Sequence, residues 1–113
     1  MSECIFCQIA DGSLPSEKIF EDEEKYVIKD IKPQAPVHLL IIPKKHLPTL
    51  ADAKESDEDL FGRLLGVAQK QAVEQGVADS GYRVVINCRN DGGQVVPHLH
   101  VHLLGGRQLG DMA

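Results

Sequence analysis

The sequence predicts an α+β fold: a five-stranded, mostly antiparallel sheet with one long helix and a short N-terminal helix. Three observations lead there. Two short strand-like runs flank a polar turn. A near-continuous apolar run follows them. One long stretch then repeats its apolar residues at helical spacing.

The elements follow in chain order. Cys4-Ile5-Phe6-Cys7-Gln8-Ile9-Ala10 has apolar residues at 5, 6 and 9, a two-turn helix that Asp11-Gly12 ends. Pro15 lies in the loop beyond. Lys18–Glu21 and Lys25–Asp30 read as strands, and the acidic run Glu21-Asp22-Glu23-Glu24 as a solvated hairpin turn between them. Pro33 and Pro36 bracket a rigid loop. Val37–Ile42 is rich in β-branched residues, which predicts a strand buried on both faces and closed by Pro43. Ser56 is read as a helix N-cap, with Asp57, Glu58 and Asp59 in the positive first turn. Leu60, Phe61, Leu64, Leu65, Ala68 and Ala72 then mark the inner face of a helix of about five turns that ends at Gly76. Tyr82–Asn87 is a strand, Asp91-Gly92-Gly93 a loop, and Val95–Leu104 the last strand. Pro97 has no N–H, so it belongs at that strand's start or on an edge.

A chain of 113 residues predicts one domain, 1–113, large enough to hold a core without staples. No run approaches the length of a membrane span. The start, Met1-Ser2-Glu3-Cys4, lacks a basic and then apolar leader. Three cysteines make a disulfide framework improbable, so the expected compartment is the reducing cytoplasm. The net charge of −5 argues against a nucleic-acid surface. It leaves room for a small phosphorylated ligand bound by backbone N–H groups.

The chemistry concentrates at His98, His100 and His102. Period two in a strand puts all three on one face and Leu99, Val101 and Leu103 on the other. His98 and His102 would then lie roughly 13 Å apart, too far to share one ion easily, although a pair at i and i+2 can; the expectation is that the three imidazoles have separate tasks. Neutral histidine is a nucleophile towards phosphorus and a proton shuttle. Neighbouring imidazoles disfavour one another's protonated forms. Gly92-Gly93-Gln94, just upstream, could form a backbone nest for a phosphate. The same residues also make an ordinary turn.

His98-Leu99-His100-Val101-His102-Leu103-Leu104 resembles the signature of the histidine-triad (HIT) superfamily. The chain is similar to its Hint branch over roughly residues 4–108. Asp30-Ile31, Pro33-Gln34-Ala35-Pro36, His38, Ile42-Pro43-Lys44-Lys45-His46, Asp91-Gly92-Gly93-Gln94 and Gly105-Gly106-Arg107 extend the match. The resemblance implies a homodimer whose sheets join, and hydrolysis of purine nucleoside 5′-phosphoramidates. On that pattern His100 attacks the α-phosphorus to form a nucleotidyl-histidine that water cleaves. His102 contacts the phosphate, His38 orients the imidazoles, and His98 completes the set. Asp30 accepts from the ribose hydroxyls. Ile5, Phe6, Ile9, Ile28 and Ile31 wall the base, although core packing explains them equally well. Asn87, Gly93, Gln94 and Val95 border the phosphate, with no cofactor required. One departure stands out. Hint proteins often carry serine where this chain has Val95, so the hydroxyl that would serve the phosphate or leaving group is missing.

Cys4 and Cys7 form C-x-x-C, a spacing that suits one metal, a redox pair, or two small residues packed on a helix face. A thioredoxin-like arrangement needs a preceding strand that three residues cannot supply. Some HIT relatives bind structural zinc through such a pair together with the histidine after Pro-Lys-Lys and the first triad histidine. The resemblance therefore implies zinc at Cys4, Cys7, His46 and His98. Cys88 has no assigned role. Two other functions stay open: a dinucleoside polyphosphate hydrolase, which Gly105-Gly106-Arg107 disfavours, and a purine-nucleotide-binding adaptor.

Overall fold

The computed structural model describes residues 3–112; Met1 and Ser2, on which the reading of the N-terminal start partly rests, lie outside it. The elements are α1 (Ile5–Asp11), β1 (Phe20–Glu21), β2 (Lys25–Lys29), β3 (Val37–Pro43), α2 (Glu58–Glu74), β4 (Tyr82–Val85) and β5 (Val101–Gly105). The strand order is β1-β2-β3-β5-β4, and every neighbouring pair is antiparallel. The five-stranded sheet with one long and one short helix is as the sequence predicts. It is wholly rather than mostly antiparallel.

Helices cover both faces of the sheet. On one face α2 packs Leu60, Leu64, Val67, Ala68 and Ala72 against Val27, Leu39, Ile41, Leu99, Val101 and Leu103. On the other, α1 packs Phe6 and Ile9 against Tyr26, Ile28, Leu40 and Ile42. The alternation of β3 between these two layers explains its unbroken apolar run. The Tyr26 hydroxyl donates to Phe6 O at 2.7 Å and pins α1 to the sheet. Among the described residues no helix is long and apolar enough to cross a membrane.

Several boundaries differ from expectation. Ser56 is not the N-cap of α2 but lies in a 3₁₀ turn, Glu55–Asp57. Asp57 precedes the helix, and its carboxylate accepts from Lys54 N and Lys45 Nζ, which settles a buried acid in place of a hydroxyl cap. Leu65 is 47% exposed, whereas Val67 and Gln71 face inward. The inner stripe thus sits slightly further round the helix than the early leucines suggest. The acidic turn is largely exposed, as expected, and carboxylates within it are paired. Asp22 accepts from Lys25 Nζ at 2.6 Å, and Glu24 holds Arg63 of α2 through two hydrogen bonds of 2.8 and 2.7 Å.

The last strand shows the largest difference. Its ladder begins at Val101, not Val95. Pro97 offers no N–H, and His98 N turns back to Val96 O at 2.8 Å. Leu99 N instead donates to Leu47 O at 2.7 Å, which lays the 97–100 segment beside the segment that follows β3.

Candidate active site

The side chains still alternate through this irregular stretch. Leu99, Val101 and Leu103 enter the α2 core, and the three histidines point to the α1 side. The registers Leu40↔His102 and His38↔Leu104 make His38 and His102 diagonal neighbours on that face. Their rings meet at 2.9 Å, His38 Nε2 to His102 Nδ1. The His100 ring lies 4.9 Å from that of His102. Phe6 stands edge-on to His98 and His100 at 5.7 and 5.1 Å, so α1 closes the site from above.

Backbone groups fix the tautomers, because their donor and acceptor roles are not negotiable. His100 Nδ1 donates to His98 O at 2.7 Å, which leaves the lone pair on Nε2. Gln34 N donates to His38 Nδ1 at 3.1 Å, so the proton of His38 is on Nε2 and points at His102 Nδ1. His102 therefore accepts at Nδ1 and carries its own proton on Nε2, a buried atom with no hydrogen-bond partner among the described residues. Burial disfavours the charged form of both rings. It pushes the pKa of His100 down, and that of His102 down to about 4 with help from His100 and His38. The site thus sets a lone pair on one imidazole beside an N–H on the next.

Asp30 follows β2 and leans on this chain, its Oδ2 3.3 Å from His38 Nε2. Its N–H donates to His38 O at 3.0 Å, and Oδ1 accepts from Lys32 N at 2.9 Å. Asp30, His38 and His102 also lie close enough to hold a metal, but the Gln34 amide and the short ring–ring contact make them a hydrogen-bonded chain.

The ring of His98 serves a separate cluster. Its Nε2 donates to Pro43 O at 2.7 Å, so Nδ1 carries the lone pair. That nitrogen lies 3.2 Å from Cys4 Sγ, 3.6 Å from Cys7 Sγ and 3.1 Å from His46 Nδ1, and Cys7 Sγ lies 3.3 Å from His46 Nδ1. All four ligand atoms fall within 4.8 Å of one another. Tetrahedral zinc with N and S ligands spans edges of about 3.3–3.8 Å. The donor set and its spacing fit such an ion. The link from this cluster to the triad is the His98 carbonyl.

The remaining candidates are scattered. Phe6, Ile9 and Ile28 are buried beneath α1, while Ile5 is 44% and Ile31 91% exposed. Asn87 is half-buried just past β4. The nest expected at Gly92-Gly93-Gln94 is not formed. Gly93 N donates to Asn90 O and Gln94 N to Arg89 O, so the turn consumes both donors. The Gln94 side chain is also engaged: its amide N–H₂ donates to Pro48 O and Val96 O, and Oε1 accepts from Arg89 N. Val95 points outward, 88% exposed. The sequence reading missed Gln34 as a partner of His38, because a main-chain donor has no side-chain signature.

A sheet with this histidine chain on one face defines a class, and comparison with known proteins gives it a name. The HIT domain family matches residues 11–109. A HIT-like protein of Chlamydia pneumoniae is 53% identical over 109 residues, covering 96% of this chain and 98% of that one. The purine nucleoside phosphoramidase of Escherichia coli K12 is 44% identical over 110 residues, covering 97% and 92%. A HIT family hydrolase from Legionella pneumophila superposes with a TM-score of 0.93 at 48% identity, covering 96% of each chain. A histidine triad protein from Clostridium difficile does so with 0.95 at 42%, covering 100% and 98%. The chain belongs to the HIT family.

Proposed function

We propose that this protein hydrolyses purine nucleoside 5′-phosphoramidates through a nucleotidyl-His100 intermediate. One observation carries the reading: the unprotonated Nε2 of buried His100 stands beside the Nε2–H of His102. The likeness to the E. coli purine nucleoside phosphoramidase supports the substrate class.

The chemistry follows from those two nitrogens. The lone pair of His100 Nε2 forms a bond to the α-phosphorus as the P–N bond breaks. His102 Nε2–H hydrogen-bonds a phosphoryl oxygen and steadies its charge. Water then cleaves the intermediate. The amine takes up a proton from solvent as it leaves; the later water gives its hydroxyl to phosphorus and returns a proton to solvent, so that one water is consumed over the cycle. A carboxylate offers about four lone-pair sites, so Asp30 can accept from the ribose hydroxyls while holding Lys32 N. Phe6, Ile9 and Ile28, with Ile5 and Ile31 at the rim, supply an apolar wall for the base. Asn87 and the backbone of Val95 border the phosphate, and the Gly93–Gln94 turn shapes that border.

Cys4, Cys7, His46 and His98 would hold zinc. A shell of four protein ligands is closed, so the ion would brace α1 against the sheet and leave the chemistry to the histidines. A homodimer joined through β4 fits the same reading. That strand is at the sheet edge, with Tyr82 and Val84 38% and 37% exposed.

The test is mass spectrometry of the protein with adenosine 5′-phosphoramidate, wild type beside His100→Ala, with AMP release followed in parallel. AMP release and an adenylyl adduct on His100, both lost in the variant, are expected. AMP binding without turnover by the wild type would overturn the reading in favour of a nucleotide-binding adaptor.

A further inference from the structure

The proposed chemistry needs His102 to present an N–H, and that proton is set from outside the triad. Were Nδ1 of His38 protonated, it would face the Gln34 N–H donor to donor. His38 Nε2 would then be a lone pair beside the Asp30 carboxylate. His102 would have to donate through Nδ1, and its Nε2 would become a second lone pair next to that of His100. Two lone pairs would repel a phosphoryl oxygen. The Gln34 N–H, 3.1 Å from His38 Nδ1, is therefore the group that decides the direction of the whole chain.

Gln34 lies in the loop between β2 and β3, and that loop is strapped by the chain after β5. Arg107 Nη2 donates to Gln34 O at 2.8 Å, and Nη1 to Gln108 O at 2.9 Å. The guanidinium thus spans two carbonyls with its fixed fork. Gly106 makes the approach feasible. Its φ is +97°, and a Cβ there would stand 2.9 Å from Pro36 Cβ and 3.3 Å from Pro36 Cγ. The glycine before the arginine lets the strap lie flat on Pro36, and the arginine then reaches the carbonyl of Gln34.

We propose that Arg107 is a positioning residue: its hydrogen bond to Gln34 O orients the Gln34 N–H, which fixes the tautomer of His38 and makes His102 Nε2 a donor to the substrate. The consequence for turnover rests on the phosphoramidase reading, whereas the tautomers can be read without any substrate.

The experiment is ¹⁵N–¹H correlation of the histidine rings of the free protein at pH 7.5, with Arg107→Met and Arg107→Lys. In the wild type, Nδ1 of both His38 and His102 is expected to be unprotonated and Nε2 protonated. Arg107→Met should average the two tautomers of both rings, and Arg107→Lys, which keeps one donor, should restore part of the wild-type pattern. On adenosine 5′-phosphoramidate, kcat of the Met variant should fall at least about tenfold with KM little changed, because a wrong tautomer disables a positioned imidazole without removing binding contacts. A protonated His38 Nδ1 in the wild type, or unchanged tautomers in Arg107→Met, would overturn the proposal. If the wild type turns over no phosphoramidate, the ring spectra still decide it. A Gly106→Ala variant that folds should reproduce the Arg107→Met spectrum.

Discussion

The carbonyl of His98 accepts the Nδ1 proton of His100 at 2.7 Å, while the His98 ring faces Cys4, Cys7 and His46. One residue thereby joins two sites of different character. Its side chain belongs to a metal-competent cluster, and its main chain aims the proposed nucleophile.

Phe6 braces both histidines from α1. It is 6% exposed and edge-on to each ring. Phe6→Ala is expected to cost about 3–5 kcal/mol in stability, as other large-to-small core changes do. Phe6→Leu should keep the fold and lower kcat more than it lowers the melting temperature. Equal kcat in the two folded proteins would show that the ring only fills the core.

His46 offers a clean test of the metal, because its side chain is exposed. Without an ion, His46→Ala is a surface change worth within about 0.5 kcal/mol. With zinc bound, it removes one of four ligands. Elemental analysis should find one zinc per wild-type chain and less in the variant. The variant's melting temperature should fall clearly below wild type in zinc and match it after chelation. Equal melting temperatures in zinc would remove the ion from the fold.

The pH dependence follows from His102. Its folded pKa is depressed from 6.5 to about 4, chiefly by burial, with His100 and His38 opposing its charge and Asp30 favouring it. Between those values the unfolded chain takes up a proton that the folded one refuses. Stability should therefore be flat above pH 6.5 and fall as pH drops towards 4. Thermal melts of wild type and His102→Asn between pH 7.5 and 5 check this. The variant should show the shallower slope, and parallel slopes would assign the acid sensitivity to other groups.

Much of this was legible because the patterns are local. Strand period two separates His98, His100 and His102 from Leu99, Val101 and Leu103 without reference to anything distant. The run Val37–Ile42 announces burial on both faces for the same reason. Distant partners were not legible. C-x-x-C names Cys4 and Cys7, but only the crossing of the Pro43–Leu47 and Pro97–Leu99 segments brings His46 and His98 to them. Backbone partners leave no trace at all: Gln34 N, Pro43 O and His98 O set the tautomers of His38, His98 and His100. The expected start of β5 failed where Pro97 and the turn at His98 interrupt the ladder, although the side-chain alternation survived them.

Gly92 illustrates a glycine whose reason is space. The sequence suggests a phosphate nest, but a Cβ at Gly92 would overlap the carbonyl oxygen of Cys88 and stand 2.8 Å from its N. Neither atom is a flexible side-chain end. Gly92→Ala should therefore cost about 1–3 kcal/mol, the usual range for overpacking. Chemical denaturation measures it directly. A variant as stable as wild type would mean that the 88–94 turn yields easily and that its shape is not what the glycine protects.

Val95 stands where the Hint resemblance leads one to expect serine, and its setting makes it the simplest position to change. It is 88% exposed and lines an open groove of about 600 Å³ with Thr49, Cys88 and Asp91. Val95→Ser removes no packing, so its melting temperature should stay within the range of neutral surface changes, about 0.5 kcal/mol. A hydroxyl there would add a donor and acceptor at the border proposed for the phosphate, where the departing amine would need a proton. Proton transfer to a leaving group is worth about a hundredfold or more when well placed, and a hydrogen bond that only assists it is worth less. The expected result is an increase in kcat on adenosine 5′-phosphoramidate of about tenfold with an unchanged Tm. The gain should be larger for poor leaving amines than for good ones. An unchanged kcat across a series of amines would show that leaving-group protonation does not pass through position 95.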